Sequence, residues 1–100
     1  MVDFAKIYKK ITYEEFLILK LIINLESISA IKLAKVLKGQ MNYLKVIRTI
    51  KKFAEEKIII IIGKSPMICE IDYRNKETLI LFKKQLEEKK FNMTKITQNI

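Results

Sequence analysis

The first quarter of the chain contains two runs of apolar residues at helical spacing. The first run follows Asp3 and predicts a short amphipathic helix within residues 1–11. The second run follows Thr12, which has a carboxylate three residues later at Glu15 in the pattern of a capping box, and it predicts a helix over 12–26. The apolar residues of the first run are Phe4, Ile7, Tyr8 and Ile11.

The helix predicted over 12–26 is apolar around most of its circumference. Its apolar side chains span about 260°, whereas a surface helix that faces one core needs a single stripe. We therefore expect this helix to be buried on two sides. Its apolar residues are Phe16, Leu17, Ile18, Leu19, Leu21, Ile22, Ile23 and Leu25.

Two further capped helices follow, separated by a short turn that contains glycine. Ser29 and Asn42 are typical N-cap residues, and each follows an apolar residue at the spacing of a hydrophobic staple. Gly39 can adopt the left-handed conformation that ends a helix. Two capped helices joined in this way predict a helix-turn-helix over residues 29–56.

The second helix of this pair has an apolar face and a cationic face. Lys45, Arg48 and Lys52 recur at i, i+3 and i+7, opposite the apolar side chains. Cations on the outward side of such a helix favour contact with nucleic-acid phosphates and bases, although a solvated lysine-rich face is the alternative. The apolar arc consists of Tyr43, Val46, Ile47, Ile50, Phe53 and Ala54.

The last third of the chain predicts a β-hairpin over 58–72 and a helix over 76–91. Five consecutive isoleucines disfavour a helix and suit a strand, a turn follows at Gly63, and alternating apolar and polar residues then indicate the returning strand. Residues 92–100 have no apolar pattern, and we predict that they form a flexible tail.

The helices over 12–26 and 76–91 each carry a second apolar stripe that one core does not need. In a monomer, the N-terminal helix could cover these stripes. A second copy of the chain is the favoured explanation, because exposed stripes of this size would cause aggregation. We predict a homodimer whose interface contains Phe16, Leu19, Ile23, Ile80, Leu81 and Phe91.

The composition of the chain indicates a single domain and a polyanionic partner. A chain of 100 residues that is 50% apolar suits one domain, which we place at 1–91, of mostly helical α+β class. The net charge is +9, and residues 27–57 hold eight Lys or Arg but two Glu. The positive charge is therefore concentrated on the predicted helix-turn-helix, which favours binding to nucleic acid.

Several functions are excluded by residues that the sequence lacks. It has no His and one cysteine, Cys69, so it cannot form an intrachain disulfide, a zinc site of Cys and His ligands, or a nucleophile activated by His. Paired carboxylates could serve acid–base catalysis, but these pairs lie among lysines on exposed helical positions, where solvation is their expected role. The pairs are Glu14 and Glu15, Glu55 and Glu56, and Glu87 and Glu88. We expect no enzyme activity, no metal, no cofactor and no small-molecule ligand.

A membrane location is also not expected. The longest mostly apolar run, 16–23, is interrupted by Lys20 and is far shorter than the roughly 20 residues of a membrane span. The N-terminal segment lacks the uninterrupted apolar core of a signal peptide. We expect a cytoplasmic protein, in the host cytoplasm if the chain is viral.

The order helix, helix, turn, helix, hairpin, helix, together with LAKVLKG at 33–39 and VIRTIKKFAEEKII at 46–59, resembles a known family. These segments are similar to winged helix-turn-helix domains of small bacterial, archaeal and archaeal-virus transcription regulators, and the resemblance covers about residues 12–90. It implies a recognition helix in the major groove, a hairpin wing on the adjacent backbone, and dimerisation through terminal helices. The family usually has glycine at the position of Lys57, and small polar residues at those of Tyr43 and Leu44.

The resemblance implies that the recognition helix and the wing supply the DNA contacts. Arg48 is the best candidate for bidentate guanine recognition, and the lysines suit phosphates. The resulting hypothesis is a homodimeric regulator that binds double-stranded DNA sequence-specifically; the alternative is a protein–protein assembly module in which Leu44 contacts the partner. The implied contacts are Asn42, Tyr43, Lys45, Arg48, Thr49, Lys52 and the wing residue Lys64, to which the basic segment adds Lys32 and Lys38.

Overall fold

The computed structural model describes residues 2–91 and confirms the predicted α+β, mostly helical fold class. Within these residues it contains five α-helices and one antiparallel sheet of three strands. The predicted tail over 92–100 lies outside the described residues. The elements are α1 (Phe4–Lys10), α2 (Tyr13–Leu25), β1 (Ser27–Ser29), α3 (Ala30–Val36), α4 (Tyr43–Glu55), β2 (Ile59–Ile62), β3 (Ile68–Ile71), a 3-10 turn (Tyr73–Asn75) and α5 (Lys76–Glu88).

Side-chain caps begin three of the helices where the sequence predicts them. At α2, the Thr12 hydroxyl accepts a hydrogen bond from the Glu15 N–H (3.1 Å), and Glu15 Oε1 accepts one from the Thr12 N–H (2.9 Å), which completes the capping box. Ser29 and Asn42 accept hydrogen bonds from the third helical N–H of α3 and α4, respectively. Local chemistry therefore fixes the starts of all three helices.

Helix α2 lies at the centre of the core, as its wide apolar circumference predicts. Ile18, Leu19 and Ile22 are each 0% exposed, and the helix packs against α4, α5, β1 and β3. Because α2 makes contacts on several sides, few of its positions are polar. The other fully buried large side chains include Leu33, Val46, Ile50, Phe53, Ile58, Ile71, Leu79 and Leu86.

The hairpin belongs to a larger sheet than the sequence predicts. Strand β3 pairs with β2 on one side and with β1 on the other, so the order is β1-β3-β2 and all pairs are antiparallel. Strand β1 was not predicted, because three residues are too few to show an alternating pattern. It directly precedes α3, so it connects the hairpin to the helix-turn-helix.

Much of the second apolar surface is covered within the chain itself. The Phe4 ring of α1 lies 5.0 Å from the Phe82 ring of α5, and the Phe91 ring stacks on Phe16 at 5.5 Å. The dimer prediction is therefore corrected for three residues that the chain's own core buries: Phe16, Leu19 and Ile23. Of the other three, Ile80 and Leu81 are exposed and Phe91 is half-buried.

The end of α4 is a Schellman motif with an unusual residue at its left-handed position. The Ile58 N–H donates to the Phe53 carbonyl (3.1 Å), and the Lys57 N–H donates to the Ala54 carbonyl (3.0 Å). Lys57 has φ of +63°, which places a side chain in a conformation that favours glycine.

Replacing Lys57 with glycine should stabilise the protein. Removal of the left-handed strain outweighs the greater freedom of glycine in the unfolded chain, so we expect Lys57→Gly to raise the free energy of unfolding by up to about 1 kcal/mol. Urea denaturation measures this change. Lys57→Ala is the control, because it removes the charge but keeps the strain. If alanine stabilised the protein as much as glycine, backbone conformation would not be the cause.

Candidate nucleic-acid interface

Helix α4 buries a face that differs slightly from the predicted one. Val46, Ile50 and Phe53 are at most 1% exposed, and Thr49 is only 5% exposed beside them. Tyr43, assigned to the apolar arc, is exposed instead. The helix is thus rotated toward Thr49, and the residues opposite its buried face are Leu44, Arg48, Lys51 and Glu55, all of which are exposed.

Two predicted contacts of this helix are engaged inside the chain. The Thr49 hydroxyl donates a hydrogen bond to the Lys45 carbonyl (2.8 Å), which lets the side chain be buried without an unsatisfied polar group. Thr49 is one of the DNA contacts that the resemblance implies, and its burial makes that assignment wrong. Asn42 is exposed, but its Oδ1 accepts a hydrogen bond from the Lys45 N–H (2.8 Å) as the helix cap.

Two cations of the predicted stripe form ion pairs with the first turn of α2. Lys45 Nζ lies 2.6 Å from Glu14 Oε1, and Lys52 Nζ lies 2.9 Å from Glu15 Oε2. The lysine side chains remain 44% and 45% exposed, so water and ions reach them. These pairs turn Lys45 and Lys52 toward one flank of α4 and compensate their charges. Arg48 forms no ion pair among residues 2–91, so the three cations do not act as one uniform stripe.

A second carboxylate, that of Glu56, lies near Lys52. Burial raises the pKa of Glu56 above its usual value, while Lys52 opposes this shift and Glu15 adds to it. Glu56 Oε1 is buried and has no hydrogen-bond partner among the described residues. Lys52 at the C-terminal end of α4 is therefore within the electrostatic reach of the Glu56 carboxyl as well as paired with Glu15.

Arg48 and Lys51 are the uncompensated cations on the outward face of α4. Among residues 2–91, no carboxylate oxygen lies within 4.0 Å of either side chain. The sequence did not point to Lys51, because the apolar arc predicted from it lies too far toward Tyr43. An arc drawn through Val46, Ile50 and Phe53 alone would have placed Lys51 on the outward side.

Other exposed cations extend this charge beyond α4. Lys32 and Lys35 lie on α3, Lys38 lies in the turn, and all three are exposed. Lys64 is exposed at the tip of the hairpin, next to Gly63. Gly63 has φ of +74°, and a Cβ there would lie 3.0 Å from the Pro66 carbonyl oxygen, so the turn that presents Lys64 requires glycine.

The chain's other arginine differs from Arg48. Arg74 is highly exposed, but its guanidinium donates to both carboxylate oxygens of Asp72, at 3.0 and 2.9 Å. The side-chain hydrogen bonds from Arg74 lower the pKa of Asp72 below its usual value. This bidentate pair compensates the charge of Arg74, so exposure alone does not make an arginine available to an anion.

The structure thus defines a helix-turn-helix joined to a β-hairpin, with two cations on the outward face of its second helix that no carboxylate among residues 2–91 compensates. No protein-family model and no curated protein matches the sequence. A similar solved structure is that of BpsR from Bordetella bronchiseptica, with a TM-score of 0.58 and 15% sequence identity. The similarity covers 79% of this chain and 59% of BpsR, whose DNA binding is regulated by 6-hydroxynicotinic acid. At this identity, the similarity concerns the fold.

Two further findings concern the described part of the chain. None of its helices combines the length and the apolar character required to cross a membrane. Residues 2–91 also contain no group of three or more His, Cys, Asp or Glu side chains placed to hold a metal ion.

Burial raises the pKa of the Cys69 thiol to about 11, which keeps this side chain protonated at neutral pH.

Proposed function

We propose that this protein is a transcription regulator that binds double-stranded DNA, with α4 in the major groove. The observation that carries the proposal is the pair of uncompensated cations, Arg48 and Lys51, on the outward face of the second helix of a helix-turn-helix. The fold shared with BpsR supports it, as does the resemblance to winged-helix regulators. No cofactor or enzyme activity is part of the proposal.

The proposed contacts are divided by chemistry. A guanidinium can donate two parallel hydrogen bonds to guanine, so Arg48 reads a base. Lysine ammonium groups bind phosphates, and this role is assigned to Lys51, to the cations of α3 and the turn, and to Lys64 on the wing. Lys45 and Lys52 can bind phosphates when DNA replaces their α2 carboxylates. The α3 and turn residues are Lys32, Lys35 and Lys38.

We also propose that the protein acts as a homodimer in the cytoplasm, or in the host cytoplasm if it is viral. A two-fold symmetric dimer reads two half-sites about one helical turn apart. The proposed interface now centres on Ile80 and Leu81 of α5, since these two predicted interface residues are exposed. Sedimentation at tens of micromolar tests this part separately: a monomer would contradict it.

The salt dependence of duplex binding tests the proposed function. Each protein–phosphate contact releases counterions, so affinity should fall steeply as salt rises, and Lys51→Ala should reduce the logarithmic slope by about 1. Fluorescence anisotropy with a labelled duplex measures both. The control is Lys9→Ala, which removes an exposed lysine of α1 and should leave the slope unchanged. Failure to bind any duplex at about 50 mM salt would contradict DNA binding.

Neutralising Glu14 should strengthen DNA binding. Glu14 competes with phosphate for Lys45, and an exposed ion pair contributes about 0.2 to 1 kcal/mol, so Glu14→Gln should raise affinity by up to about fivefold. The same anisotropy titration measures the change. Glu87→Gln is the control, because Glu87 pairs with Lys20 at 3.6 Å, away from α4. Equal effects of both changes would show only a response to net charge.

A protein–protein assembly module is the second candidate. Leu44 and Leu81 are 66% and 62% exposed, and exposed leucines are suitable contacts for a protein partner. In this alternative, the charges serve solubility, and the protein does not bind duplex DNA. The salt titration therefore distinguishes the two functions.

A further inference from the structure

Leu44 is an apolar residue where a DNA-binding helix should meet its ligand. At 66%, it is the most exposed large hydrophobic side chain among residues 2–91. It lies in the first turn of α4, immediately after the cap and Tyr43. The chain itself offers this leucine no core to enter, because α4 buries the opposite face.

The neighbours of Leu44 on this face restrict what its partner can be. Arg48 follows one turn later and Lys51 one turn after that, and neither cation is compensated by a carboxylate among the described residues. The partner must therefore combine negative charge with a small apolar group. A DNA duplex provides both: its backbone is anionic, and the 5-methyl of thymine is the apolar group in its major groove.

On its outward side, the first turn of α4 presents Leu44, because the exposed Tyr43 lies about 100° away around the helix. The Asn42 Oδ1 caps the helix, and Lys45 is held by Glu14 on the flank. The N-terminal residues of a recognition helix are the ones that contact base edges. Leu44 occupies this position on the outward side, so an apolar contact is the one the structure offers there.

From this arrangement we infer that Leu44 is a specificity-determining residue that contacts the 5-methyl group of a thymine. The inference rests on the proposed function and deepens it, since it names the DNA sequence class: a thymine close to the guanine read by Arg48. Four residues of helix rise about 6 Å, close to two base-pair steps along the duplex. The preferred half-site therefore contains thymine and guanine about two steps apart.

The test compares thymine with uracil, which differs only by the missing methyl group. The full chain first selects its preferred duplex from a randomised library at low salt. Each conserved thymine is then replaced by deoxyuridine, and affinity is measured by anisotropy. Loss of one buried methyl should weaken binding of the unchanged protein about fourfold. Leu44→Ala should bind the thymine and uracil duplexes equally.

The matched control is Leu25→Ala, which removes a leucine of α2 that is 54% exposed. It should retain the full ratio between thymine and uracil affinities. Circular dichroism confirms that each variant is folded. If the protein selects a site but binds uracil and thymine equally, the role of Leu44 is overturned while DNA binding stands. Absence of binding to every duplex overturns the proposed function itself, and this inference with it.

Discussion

Arg48→Ala is expected to weaken binding to the preferred duplex by about 1 to 3 kcal/mol, which is roughly 5- to 150-fold. Arg48 is exposed on the outward face of α4, and no carboxylate in the described part of the chain competes for it. Loss of a bidentate contact to guanine should also relax the preference for that base. Anisotropy with the selected duplex, and with variants of its guanines, measures both effects.

Arg74→Ala provides the control for this expectation. Arg74 is the only other arginine of the sequence, and it is also exposed, but Asp72 compensates its charge. Its removal should change duplex affinity little and base preference not at all. An Arg48→Ala protein that lost affinity equally for all sequences would show phosphate contact in place of base reading.

Phe53→Ala is expected to destabilise the fold by about 3 to 5 kcal/mol. Phe53 is 1% exposed, it lies on the buried face of α4, and its carbonyl accepts the Schellman hydrogen bond from Ile58. Domains of this size are stable by roughly 5 to 15 kcal/mol, so this change removes a large share. Thermal unfolding should show a decrease in Tm of about 12 °C or more.

Ile62→Ala on β2 is the corresponding control for stability. Ile62 is exposed, so its truncation leaves no cavity and should cost well under 1 kcal/mol. If Phe53→Ala were equally mild, the packing of α4 against α2 and the sheet would not depend on this ring. Helix α4 would then be held mainly by the other buried side chains, Val46 and Ile50.

The starts of three helices were well determined by local sequence, whereas α5 ends at Glu88, before the predicted end at residue 91. Thr12, Ser29 and Asn42 cap their helices as predicted, because a cap is formed by residues within one turn of each other. The hairpin was also predicted correctly from the isoleucine run and the turn at Gly63. Strand β1 was missed, because its pairing partner in β3 lies about forty residues away in sequence.

The candidate interface was predicted less completely. The helix that carries it was identified, and Arg48 lies on its outward side, as expected. Thr49 was misplaced because a hydroxyl that bonds to its own helix can be buried like an apolar group. Compared with the prediction, the helix is slightly rotated about its axis. Lys45 and Lys52 therefore lie toward the carboxylates of α2, and Lys51 lies on the outward side with Arg48.

The order of the helices and the hairpin, the fold class, the caps and the concentration of positive charge followed from the sequence by itself, because each depends on residue type and short-range spacing. Only the tertiary structure decided which cations remain available. The carboxylates of Glu14 and Glu15 reach Lys45 and Lys52 across 31 and 37 residues of sequence. No periodicity encodes a contact of that range, since it arises when the packing of α2 against α4 brings the two helices together.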